Sequence, residues 1–131
     1  MFSTPQVNVY SEDVVRSVEF YRSVGFEETF RTPREGAPIH VELELDGLKL
    51  GVASVTSAVA DHGLELDLSK PGRSMEIAVW TEDTDAAFAR LTAAGARALS
   101  EPHDWLGDTL RVAWVADPDD NPVELVQRRS Q

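Results

Sequence analysis

The chain has 131 residues, no cysteine, 42% hydrophobic and 27% charged residues, and a formal net charge of −11. That length can bury a core without cross-links, and the missing cysteine excludes a disulfide framework, a Cys-ligated zinc site and a thiolate nucleophile. An acidic chain without a Lys/Arg cluster opposes binding to nucleic-acid phosphates and to anionic membrane surfaces. No apolar run approaches the roughly 20 residues of a bilayer span. Met1 to Tyr10 lacks a basic flank ahead of an apolar stretch, so the cytoplasm is the expected location.

The first element in the chain is a strand over Gln6–Tyr10, where Val7 and Val9 alternate with Gln6, Asn8 and Tyr10. Ser11-Glu12-Asp13 has the composition of a helix start. Val14, Val18 and Tyr21 follow at helical spacing, and Gly25 stops the helix. Phe26–Thr32 reads as a strand and Pro33–Pro38 as a loop. Ile39–Leu45 alternates strictly, Asp46-Gly47 is a hairpin turn, and Leu48–Ala53 returns as a strand. Ser54–Arg73 has turn and linker chemistry. The order then recurs. A strand is expected over Met75–Trp80 and a helix from Thr81-Glu82-Asp83 to Gly95. Strands follow over Arg97–Ser100, Leu110–Ala116 and Pro122–Gln127. Met1–Thr4 and Arg128–Gln131 read as frayed tails.

Asp13 and Asp83, Gly25 and Gly95, and Gln6 and Glu76 all stand 70 residues apart. A constant offset is the mark of an internal repeat. It predicts an α+β fold of two βαβββ modules in tandem, residues 5–55 and 74–128, joined by a linker at 56–73. The helices lie on the convex face of a curved mixed sheet. Each module has one face covered by its helix and one left open. Pairing two open faces, within a chain or between chains, makes a cleft.

Nearly the whole chain resembles the vicinal oxygen chelate superfamily, which includes glyoxalase I, bleomycin-resistance proteins, fosfomycin-modifying enzymes and extradiol dioxygenases. The resemblance is carried by Val9–Asp13 with Ser17–Phe26, by Asp117–Leu125, and by the helix from Glu82-Asp83 to Gly95. One departure is Asp120, where the family usually has Gly. The resemblance implies one domain over 1–131, a homodimer, and a small organic molecule held in the cleft. It also implies where the catalytic members' metal ligands would fall: Gln6, Gly51, Glu76 and Glu124.

Gly51 has no side chain, so the implied set reduces to one neutral amide and two carboxylates. That is a poor set for a transition metal, which usually takes imidazole. The expectation is therefore no metal and no catalytic residue. The alternative is a lyase, isomerase or dioxygenase of glyoxalase type, with a divalent ion such as Mg, Mn, Ni or Fe on Gln6, Glu76 and Glu124. The histidines read as ordinary surface or loop residues, His62 in the linker and His103 in the Glu101–Asp104 loop. His40 shares a strand face with Glu42 and Glu44. Alternation puts Val7, Val9, Ile77, Val79, Val123 and Leu125 under the helices. It turns Gln6, Asn8, Tyr10, Glu76, Ala78, Trp80, Glu124 and Val126 toward the cleft.

Trp80 on the polar side of a strand suits stacking against a planar ligand. Trp105, in the Asp104–Gly107 loop, reads as a lid over a bound ring or as a dimer contact. Trp114 reads equally as core or as a ligand contact. Arg111 has the opposite parity, so only one of the two faces the cleft. The ligand-binding set is then Gln6, Asn8, Tyr10, His40, Glu42, Glu76, Trp80, Trp105, Trp114 and Glu124. Such a cleft resembles the sequestering, drug-binding members of the family, which hold an aromatic or cationic molecule without chemistry.

Overall fold

The computed structural model describes residues 1–129. The elements run β1 (Val7–Ser11), α1 (Val14–Val24), β2 (Glu27–Thr32), β3 (His40–Leu45), β4 (Leu48–Ser54), α2 (Val55–His62), β5 (Ile77–Trp80), α3 (Thr84–Ala93), β6 (Arg97–Trp105), β7 (Leu110–Ala116) and β8 (Pro122–Arg128). They form two compact units, one spanning Met1–Lys70 and the other beginning at Pro71. The first holds a four-stranded sheet in the order β1-β4-β3-β2, the second a four-stranded sheet in the order β5-β8-β7-β6. β1–β4 and β5–β8 pair in parallel, and the other neighbours are antiparallel. This is the expected α+β architecture of two βαβββ modules.

The repeated helices begin the same way. Asp13 caps α1 by accepting from Arg16 N at 3.1 Å, and Asp83 caps α3 by accepting from Ala86 N at 3.0 Å. Each cap satisfies an amide that the helix itself leaves open. Ser11 Oγ accepts from Asp13 N and Thr81 Oγ1 from Asp83 N, so the residue two before each cap also repeats its role. Gly25 and Gly95 leave the helices at φ 124° and 108°, a region that side chains with a Cβ avoid. Helix α1 packs on β3 and β4, and α3 on β6, β7 and β8.

Tyr21 of α1 and the sheet residues Val41, Leu43, Leu50 and Val52 beneath that helix are all fully buried, with Phe26 edge-on to Tyr21 at 5.8 Å. In the second unit Val115, Val123 and Leu125 fill the same place. Val7, Val9 and Val79, expected under the helices, are only half-buried.

Several boundaries differ from the sequence reading. The stretch read wholly as linker contains α2. Ser54 caps it by accepting from Ser57 N at 3.1 Å, Gly63 ends it in the left-handed region, and Ala58 is its buried residue. Strand β6 extends past Ser100 to Trp105, so His103 and Trp105 lie on a strand, not in loops; His103 pairs with Val112 and Trp105 with Leu110. Register shifts between Ala98 and His103 hide this strand from a period-two reading. The C-terminal tail is shorter than expected. Arg128 ends β8, and Arg129 N donates to Thr109 O at 2.9 Å. Ser130 and Gln131, also read as frayed, lie outside the described residues. Asp120 adopts φ 67° in the β7–β8 turn, where Asp tolerates what Gly usually supplies. No described helix is long and apolar enough to cross a membrane.

Candidate functional site

In each unit the strand alternation divides residues between the helix face and an open face. On the open face of the first sheet, Asn8, Gly51, Glu42 and Phe30 form one row across four strands, and Tyr10, Ala53, His40 and Thr32 the next. Gln6 precedes β1, and its Nε2 donates to Asn8 Oδ1 at 2.8 Å and to Glu42 Oε2 at 3.3 Å. His40 Nε2 lies 3.3 Å from the same Glu42 oxygen. Tyr10 is half-buried on the His40 row. Thus Gln6, Asn8, His40 and Glu42 form one hydrogen-bonded cluster.

Gly51 is the floor of this cluster. A Cβ there would overlap Asn8 Oδ1 and come within 2.9 Å of His40 Cε1. The position is therefore covered by its neighbours and leaves no space for a ligating side chain. Of the two implied metal positions in the first unit, Gly51 brings no donor and Gln6 brings only a neutral amide. Among the described residues no group of three or more His, Asp or Glu side chains is placed to hold a metal ion. Gly51 therefore supplies nothing to a metal centre of the family's kind.

The open face of the second sheet carries Ala78, Glu124, Trp114 and Ser100 in one row and Trp80, Val126, Val112 and His103 in the next. Trp114 therefore shares the face of Glu124, and Arg111 takes the other. There its guanidinium bonds Asp85 of α3 at 2.9 Å and Asp104 at 3.2 Å. Asp85 is held below the usual carboxylate range, chiefly by its hydrogen bond from Arg111. Arg129 adds a further ion pair to Asp104.

Trp114 is held from two sides. Its Nε1 donates to Glu76 Oε1 at 2.9 Å, and the His103 ring stacks on it with centroids 6.2 Å apart and planes 25° apart. Glu124, its cross-strand neighbour, has its carboxyl pushed up by burial and by the adjoining Glu76. Trp80 is 60% exposed, and the Arg128 guanidinium sits 5.0 Å from its ring centroid. Strand β8 lies between the strands of Trp80 and Trp114, which sets those strands about 10 Å apart. Glu124 and the buried Val126 occupy the space between. Trp105 is 57% exposed, on the row of Leu110 and next to the equally exposed Leu106.

Phe30, His103 and Arg128 lie on these faces without having been singled out from the sequence. A register shift between Glu28 and Phe30 turns Phe30, otherwise in phase with buried Phe26, to the open side.

The comparisons agree with this architecture. The chain belongs to the Glyoxalase/Bleomycin resistance protein/Dioxygenase superfamily, whose family model matches residues 4–125. Among solved structures, TioX from Micromonospora sp. ML1 is 26% identical with a TM-score of 0.68, over 96% of this chain and 100% of that one. The hypothetical protein SA1046 from S. aureus is 17% identical with a TM-score of 0.79, over 97% and 94%. The fosfomycin resistance protein FosX from Listeria monocytogenes is 14% identical with a TM-score of 0.71, over 98% and 95%. No curated protein sequence matches the chain.

Proposed function

We propose that this protein binds a small aromatic organic cation on the open face of its second unit and sequesters it without chemistry. The observation that carries the reading is Trp114, clamped by Glu76 and His103 beside the Glu124 carboxyl. A fixed indole next to carboxylates attracts a flat cation through the ring face and through charge. Arg128 over Trp80 is the same interaction made by the chain itself, and a ligand cation would take its place. The net charge of −11 draws cations toward the molecule. The fold likeness to FosX, which is a resistance protein, makes an antibiotic one class of ligand to include. A cytoplasmic location and a homodimer complete the reading. Exposed Trp105 and Leu106, at the β6–β7 hairpin, are the apolar pair offered to a second copy.

Titration of the protein's tryptophan fluorescence with planar aromatic cations, including cationic antibiotics and their neutral isosteres, tests the ligand class. Saturable quenching by cations and weak quenching by the isosteres is expected, with Trp114→Phe weakening the cation by about tenfold. Unchanged fluorescence across the panel would remove the proposal. Sedimentation velocity tests the dimer: twice the chain mass is expected, falling to the monomer in Leu106→Asp.

A further inference from the structure

The hydrogen-bonded cluster of the first unit fixes the orientation of two side-chain amides on the open face of its sheet. An ionised carboxylate only accepts hydrogen bonds, so the end of Gln6 facing Glu42 Oε2 must be the Nε2 nitrogen. That nitrogen also lies 2.8 Å from the Asn8 side chain, so the end of Asn8 facing it must be the oxygen. The orientation of both amides follows from Glu42. His40 makes a second contact with the same Glu42 oxygen and holds the carboxylate in place.

With the inner ends so assigned, Asn8 Nδ2 and Gln6 Oε1 take no protein partner among the described residues. Asn8 is exposed, on the row that ends in Phe30, which is itself 50% exposed. We infer that Asn8 and Gln6 form a donor–acceptor site for a carboxamide or urea group. Asn8 Nδ2 donates to the ligand's carbonyl, Gln6 Oε1 accepts from its N–H, and Phe30 flanks an attached ring. Gly51 is a positioning residue for this site: only its bare backbone lets Asn8 and His40 close over β4.

The test is nuclear magnetic resonance of the side-chain amides, with benzamide as the probe. The sequence holds only five such amides, Gln6, Asn8, Asn121, Gln127 and Gln131, so substitution assigns each signal. Benzamide is expected to shift the Asn8 and Gln6 signals in a saturable way. Asn121 and Gln127, both bonded within the fold, should stay in place. Asn8→Asp keeps the acceptor toward Gln6 and removes the outward donor, and about a fivefold loss of affinity is expected. Gly51→Ala displaces Asn8 and produces a similar loss while the backbone spectrum stays native. Equal shifts at all five amides, or unaltered affinity in both Asn8→Asp and Gly51→Ala, would overturn the inference.

Discussion

Three positions define the chemistry at the level of single residues. Trp114 faces the Glu124 side of its sheet, and Gly51 is a covered floor. The Glu124 carboxyl is pushed above its ordinary pKa, by burial first and by Glu76 second. Since its folded pKa lies above the unfolded value, its contribution to stability is complete below the ordinary carboxylate range. It is lost as pH rises through the folded pKa. Glu124→Gln is therefore expected to raise the melting temperature at neutral pH, with the gain over the parent shrinking on acidification. Thermal melts of the two proteins from neutrality down to about pH 4.5, the ordinary value, check this. The difference between them isolates Glu124 from Glu28 and Asp85, whose lowered pKa values act in the opposite sense. Alternation in the sequence turned Gln6, Asn8, His40 and Glu42 to one face correctly, because β1, β3 and β4 pair without a register shift. It missed Phe30 and misplaced His103, because both follow bulges that reset the phase.

At the level of elements, α1 and α3 were legible because an Asp cap and a terminal Gly mark both in duplicate. Helix α2 was not: its Ser54 cap and Gly63 stop also fit turn chemistry, and it is only eight residues long. Asp13→Ala is expected to cost about 1 kcal/mol by leaving a first-turn amide of α1 unsatisfied, as measured by urea unfolding. Leu43→Ala, beneath the same helix at 0% exposure, should cost about 2–5 kcal/mol through lost burial and the cavity left behind. The Asp85–Arg111–Asp104–Arg129 series ties α3 to the β6–β7 hairpin, but its members are partly exposed. Asp104→Asn is expected to cost less than about 1 kcal/mol, and less again at high salt.

At the scale of the whole molecule, one unit is folded twice from one chain and its open faces have been given different side chains. The equivalent places Gln6 and Glu76 both precede a first strand, and both bond to the third strand of their sheet, to Glu42 and to Trp114. The fold was readable from the repeat, whereas the division between an amide–imidazole face and an aromatic–carboxylate face emerges only when strand register is known. The most direct test of the aromatic face follows the three indole N–H signals, one for each tryptophan in the sequence, during titration with an acridinium-type cation and its neutral isostere. The Trp114 and Trp80 signals should move together and saturate with the cation while Trp105 responds least, and the isostere should move none of them comparably. Equal response to both compounds, or a Trp114 signal that stays fixed while the cation binds elsewhere, would contradict the account.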